Sequence, residues 1–160
     1  MDLILWRHAE AVDHPYGEAG AQGDPLDMAR RLSARGEKQA ARMAAWLDRQ
    51  LPDGAKVFAS PAQCTQQTAA ALGRKLRLRE ELAPGAAPSA VLAVAGWPDG
   101  RVPVVVVGHQ PTLGQVVAQL LGLPETECPM RKGAIWWLRQ RERGGCQQTL
   151  IVTVQTPELV

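Results

Sequence analysis

Cysteine is scarce in this sequence, histidine equally so, and neither sign of charge dominates. Three cysteines (Cys64, Cys128, Cys146) with no Cys-x-x-Cys pair are too few for a disulfide framework. Reduced thiols in a reducing compartment are the expectation. No stretch approaches the roughly 20 apolar residues that a membrane helix needs. The longest, Val102 to Gly108, is interrupted by Pro103, so no membrane partner is expected. Met1 to Arg7 lacks the basic flank and long apolar segment of a signal peptide, and a cytoplasmic location is expected by default. The net charge of +2 comes from scattered lysines and arginines. Without a dense basic stripe and interleaved aromatics, no nucleic-acid partner is expected. Repeats and linkers are missing too, so residues 1–160 read as one domain.

What is present is a core. Apolar residues make up 46% of 160 positions, enough to bury a sizeable interior. Leu3 to Trp6 reads as a short buried strand, followed by a polar, glycine-containing stretch from Glu10 to about Leu32. That length is unusual for a structureless connection and marks the stretch as functional or mobile. Ser33 caps a helix with Ala40, Met43, Ala44, Leu47 and Leu51 at helical spacing, ended by Pro52-Asp53-Gly54. Val57 to Ala59 is a second strand. Ser60-Pro61-Ala62-Gln63 combines a serine cap, proline at the first helical position and a capping-box glutamine, which predicts a helix to about Lys75. A brief strand falls within Leu76 to Leu82, and a small helix within Pro88 to Gly96. Val104 to Val107 is apolar on both faces, as a central parallel strand should be. Pro111 opens a further helix that closes at Gly122. Ala134 to Leu138 and Thr149 to Val154 flank Arg143-Gly144-Gly145 as an antiparallel hairpin, with one ring of Trp136-Trp137 in the core and the other at the surface. The pattern predicts an α/β fold: a three-layer α/β/α sandwich on a mostly parallel sheet with a C-terminal antiparallel hairpin.

Sheets of this kind place their sites beyond the carboxyl ends of the strands. Here those ends read Arg7-His8, Ser60-Pro61 and Gly108-His109. A lone histidine after a strand is ordinarily a loop residue, and a lone Arg-His pair says almost nothing. Two of three histidines at equivalent strand ends, one beside an arginine, describe a phosphate pocket holding two imidazoles. Helix starts near Pro61 and Pro111 add free N–H groups that favour an anion, and Arg7 adds a fork suited to phosphate. His8, Glu10 and His14 also invite a metal reading, but they fall on a strand end and a loop rather than in a ligand-spaced motif.

Leu5-Trp6-Arg7-His8-Ala9-Glu10 resembles the opening Arg-His-Gly signature of the histidine phosphatase superfamily, with Ala9 in place of glycine. Val106 to Pro111 is similar to the second-histidine motif of the short bacterial phosphohistidine phosphatases, the SixA type. Arg31-Leu32-Ser33-Ala34-Arg35-Gly36 is similar to that group's Arg-Pro-Leu-Thr segment, and Ser60-Pro61 with Gln67-Thr68 to its Ser-Pro-x-x-Arg-x-x-Gln-Thr segment. The resemblance implies a phosphoglycerate mutase-like fold and a phosphoryl group carried on His8. Arg7 and His109 (if protonated) would stabilise the transferring charge. Gln110, Arg31 and Lys132 are further candidates for binding phosphate. It implies no metal and no cofactor. The expected partner is a protein bearing phosphohistidine, or alternatively a small phosphomonoester. Glu10 and Glu81 are the acids at hand.

One position departs from the pattern. Cys64 stands where the resemblance requires a second phosphate-binding arginine. Three readings follow: a weakened phosphatase whose charge comes from Arg7 with Lys132, Arg30 or Arg31; a binding module without efficient turnover; or a reactive thiol lowered in pKa by the first turn of a helix.

Overall fold

The computed structural model describes residues 1–14 and 24–160. Alternation of strand and helix builds a six-stranded sheet in the order β3-β2-β4-β1-β5-β6. The strands are β1 (Asp2–Arg7), β2 (Lys56–Ala59), β3 (Leu76–Leu78), β4 (Val104–Gly108), β5 (Ile135–Arg143) and β6 (Cys146–Gln155). The first four run parallel; β5 joins β1 antiparallel, and β6 joins β5 likewise. The helices are α1 (Pro25–Met28), α2 (Ala34–Gln50), α3 (Gln63–Ala70), α4 (Pro88–Ala95) and α5 (Thr112–Leu121), with a 3₁₀ turn at Glu80–Leu82.

Alternation along the strands makes the three layers. Ile4 and Trp6 of β1, with Val105 and Val107 of β4, meet Met43, Ala44 and Leu47 of α2 and Ala69 of α3. Leu3 and Leu5, with Val104 and Val106, face Val91 of α4 and Leu113, Val116 and Val117 of α5. Because side chains alternate with period two, central strands covered on both faces must be apolar throughout. Both rings of Trp136-Trp137 take part in this packing. Trp137 is buried on the α2/α3 side, and Trp136 is half-buried against the opposite cluster, so neither ring is simply a surface group.

Some boundaries move for local reasons. Ser33 caps α2, accepting from the Gly36 N–H at 3.0 Å. Ser60, by contrast, caps no helix: the chain bends through Pro61 and Ala62, and α3 begins at Gln63 behind Ala62. That helix stops at Ala70 rather than Lys75, three residues before Gly73 adopts positive φ. The hairpin is longer than the apolar runs imply. Its strands reach Gly144-Gly145, whose positive φ values suit a two-residue turn.

Two glycines hold the loops that carry the site. A Cβ on Gly36 would meet the Glu10 carbonyl oxygen at 1.9 Å, so the first turn of α2 packs directly on the chain leaving β1. A Cβ on Gly114 would meet the Cys128 carbonyl oxygen at 2.1 Å, where α5 touches the loop before β5. The polar stretch after Glu10 is pinned at both described ends by the Ala11–Leu32 bridge and the His14–Asp24 pair. The part of that expectation falling on residues 15–23 lies outside the described residues.

Candidate active site

Strand register brings the two histidines together. Arg7 of β1 pairs with Gly108 of β4, so His8 and His109 leave adjacent strands at the same level. Their ring centroids stand 5.4 Å apart. β2, the other neighbour of β4, ends at Ala59, and Ser60 follows beside the two histidines. All of this lies at the carboxyl edge of the sheet.

His8 is held on several sides. Its N–H donates to the Gly108 carbonyl at 3.1 Å and its own carbonyl accepts from the Gly133 N–H at 3.0 Å. The next residue's N–H donates to the Thr68 hydroxyl at 3.1 Å, and that hydroxyl donates to the Cys64 carbonyl at 2.7 Å. The imidazole Nδ1 lies 2.7 Å from the Ala9 carbonyl oxygen. A carbonyl only accepts, so Nδ1 carries the proton of the neutral ring and Nε2 keeps its lone pair. His109 Nε2 lies 2.8 Å from the Ser60 hydroxyl, which also accepts from the Ala62 N–H. The serine expected as a helix cap is therefore a partner of the second histidine.

Both rings are 7% exposed. Burial pushes His8 down to about 3, helped by the charges of His109, Arg7 and Arg30. Burial pushes His109 down to about 4, with Arg30 and Arg7 adding to it. Both imidazoles are therefore neutral at neutral pH. His109 thus does not carry the positive charge there. The unfolded chain binds protons below about 6.5 that the folded chain refuses, so stability is full above that value and falls as pH drops toward 4. Each histidine can take away up to about 1.4 kcal/mol per pH unit in that window. Denaturant unfolding in the presence of chelator should show wild type losing stability between pH 7 and pH 5. His8→Ala should lose markedly less.

The cavity around them, about 220 Å³, is lined by Arg7, Asp27, Arg30, Cys64, Gln110 and Lys132 among others. Arg7 donates from Nη1 to the Met130 carbonyl at 2.6 Å. Its Nε is the one buried side-chain donor without a partner among the described residues, an omission that costs about 1–3 kcal/mol unless an anion fills it. Arg30 donates from Nε to the Val12 carbonyl and pairs with Asp27 at 3.1 Å. A wider cleft of about 550 Å³ opens at the opposite edge of the sheet. It gathers no histidine, serine or cysteine, and its Arg74 is spent on Asp48 and on the Leu51 and Pro52 carbonyls.

The candidates sort unevenly. Arg7, His8, His109, Gln110 and Lys132 line one cavity. Arg31 does not: it is exposed, and the neighbouring Arg30 takes the inward place. Counting Arg-Pro-Leu-Thr back from Ser33 puts the motif's arginine at 30 and Arg31 at its proline, a signal in the sequence that a one-residue shift obscures. Gln110 lines the cavity with its amide already committed. Its Oε1 accepts from the Gly114 N–H at 2.6 Å and its Nε2 donates to the Cys128 carbonyl. Glu10 accepts from the Ser33 hydroxyl and Glu81 pairs with Arg79, and neither lines the cavity. Asp27, the carboxylate that does, went unread because α1 is too short to leave a periodic pattern. His14 pairs with Asp24, which removes the His8, Glu10, His14 metal grouping. Cys64 is only 3% exposed, and burial pushes its thiol up to about 11 against the pull of Arg30. The reading of an activated thiol fails on that balance.

The sequence profile of the histidine phosphatase superfamily (branch 1) matches residues 3–86, and the chain belongs to that superfamily. No curated protein matches the sequence. The fold is similar to the protein histidine phosphatase SixA complexed with tungstate, at TM-score 0.74 and 24% identity over 98% of this chain and 97% of that one. It is similar to a candidate phosphohistidine phosphatase SixA from Nakamurella multipartitia, at TM-score 0.68 and 27% identity over 98% and 95%. It also resembles a mutant phosphoserine phosphatase from Entamoeba histolytica in complex with phosphoserine, at TM-score 0.72 and 14% identity over 99% and 98%. The fold is therefore the phosphoglycerate mutase-like α/β/α sandwich, and SixA proteins are among its neighbours. No helix among the described residues is long and apolar enough to cross a membrane.

Proposed function

We propose that this protein is a metal-independent phosphatase that carries the phosphoryl group on His8 and takes phosphohistidine on a partner protein as substrate. The observation that carries this reading is a neutral His8, its Nδ1 pinned by Ala9, in one cavity with Arg7, Arg30, Lys132 and His109. Nε2 attacks phosphorus as the bond to the leaving nitrogen breaks, and water then releases phosphate from His8. Arg7, Arg30 and Lys132 supply charge to the equatorial oxygens, the main task in phosphoryl transfer. His109 gains a proton most readily once a phosphate dianion lies against it, because an adjacent anion favours the charged ring.

Two features favour phosphohistidine over a phosphomonoester. An alkoxide leaving group needs a general acid, and Asp27, the carboxylate lining the cavity, is ion-paired with Arg30. Imidazole, once protonated, leaves neutral and needs no such acid. The cavity is also below the roughly 300–1,000 Å³ of pockets that enclose whole small ligands, which suits a phosphoryl group presented from a protein surface. The test compares kcat/KM on a phosphohistidine-bearing protein with that on phosphoserine and p-nitrophenyl phosphate. The phosphoprotein should be clearly preferred; an equal or better rate on phosphoserine would sink the substrate assignment.

Charge at the site gives a second check. Arg30→Ala should lower kcat/KM by about 10²-fold, as loss of one charged donor to a transition state does. Arg31→Ala, one residue on but exposed, should change it little. Equal effects of the two would contradict the placement of Arg30.

A further inference from the structure

The residue that breaks the phosphatase pattern creates a different one. One ligand atom from each of His8, Cys64 and His109 lies within 4.8 Å of the other two, and all three residues are buried. They come from three separate elements: the ends of β1 and β4, and the first turn of α3. Two imidazoles and a thiol are a donor set suited to Zn²⁺, which takes nitrogen at about 2.0–2.1 Å and sulfur at about 2.3 Å. Tetrahedral bonding at those lengths sets donors roughly 3.4–3.6 Å apart. Separations of up to 4.8 Å therefore need to shorten by about 1 Å to hold such an ion.

The surroundings are those of a supported site. A metal-binding histidine ordinarily gives its other ring nitrogen to a carbonyl, carboxylate or similar partner, which fixes its orientation. His8 Nδ1 already has the Ala9 carbonyl and His109 Nε2 already has the Ser60 hydroxyl. Each ring therefore keeps its other nitrogen for a ligand. Burial holds the Cys64 thiol protonated while no cation is bound, and Arg30 with the Cys64 and Thr65 N–H groups offsets that only in part; a cation at Sγ is itself what deprotonates a coordinating thiol. Arg7 and Lys132 oppose a cation, while Asp27 offsets Arg30. These cations favour an anion such as hydroxide as the fourth ligand, leaving the site open on one side.

We propose that His8, Cys64 and His109 form a three-ligand site for a thiophilic divalent cation, Zn²⁺ being the best fit, whose occupancy shuts off the phosphatase. Binding forms one Zn–S and two Zn–N bonds, and the thiol proton leaves to solvent. The His8 lone pair that would attack phosphorus is then held by the metal. The inhibitory consequence rests on the function proposed above; the binding itself does not.

Titration of the metal-free full chain with Zn²⁺ alone, against a chromophoric chelator, tests the site. One equivalent should bind. Cys64→Ser should weaken binding by more than the roughly 10–100-fold that loss of a mere supporting residue causes. A Cys128→Ser, Cys146→Ser double variant should bind as wild type does. Co²⁺ in place of zinc should give a thiolate-to-cobalt charge-transfer band in wild type, absent from Cys64→Ser. Equal zinc affinity in wild type and Cys64→Ser, or a band that persists in Cys64→Ser, would overturn the site. Circular dichroism on each variant separates loss of a ligand from loss of folding. Inhibition by Zn²⁺, reversed by chelator and much weaker in Cys64→Ser, would support the regulatory part. Stoichiometric binding with undiminished turnover would overturn that part while leaving the site standing.

Discussion

Replacing His8 by alanine is expected to lower phosphatase kcat by about 10⁴-fold or more, the scale on which loss of a nucleophile acts. The physical reason is specific to the position. Alanine leaves the anion-binding groups in place, so phosphate or vanadate affinity should change far less than turnover. No neighbour can substitute: His109 is tethered through Nε2 to Ser60, and Cys64 is a buried thiol held protonated by its surroundings. Steady-state kinetics and anion binding on the same preparation check both halves. A variant that keeps a tenth of the wild-type kcat would remove His8 from the role of nucleophile.

Cys64→Arg is expected to raise kcat/KM by about 10²–10³, the value of one added charge-assisted donor to the transition state. Position 64 lies in the first turn of α3 and lines the same cavity as Arg7 and Arg30. A guanidinium there has room to extend into space that cysteine leaves empty. The gain depends on the arginine reaching the phosphoryl oxygens and on Arg30 keeping its pair with Asp27. Measured on one phosphoprotein substrate, with circular dichroism confirming the fold, the variant should be faster and no longer bind zinc. If activity stays level while phosphate binds normally, Arg30 with Lys132 already supplies the charge.

Where burial is complete, the fold was legible. β4 is apolar on both faces because helices cover both, and β1 follows the same rule, so these strands stand out as unbroken apolar runs. The Ser33 cap and the glycine end of α5 at Gly122 were equally legible, since each depends on a neighbouring residue alone. What depends on tertiary partners was not. Ser60 reads as a helix cap until His109 claims its hydroxyl, and Gln110 reads as a phosphate ligand until Gly114 and Cys128 take both ends of its amide. Arg30 and Arg31 differ by one position; the motif count from Ser33 favours Arg30, and its bonds to Asp27 and the Val12 carbonyl hold it at the cavity while Arg31 stays exposed. The metal-capable trio was hidden for the same reason. Its members are 56 and 45 residues apart in sequence (8 to 64, 64 to 109), with no ligand spacing to mark them.

The central claim is that phosphate passes through His8. Mixing the chelator-treated enzyme briefly with a phosphohistidine-bearing protein, quenching in alkali and mapping the peptides by mass spectrometry tests it directly. The account predicts a base-stable, acid-labile phosphate on His8 in wild type and none in His8→Ala. Phosphate on any other residue, or a label that persists in His8→Ala, would contradict it.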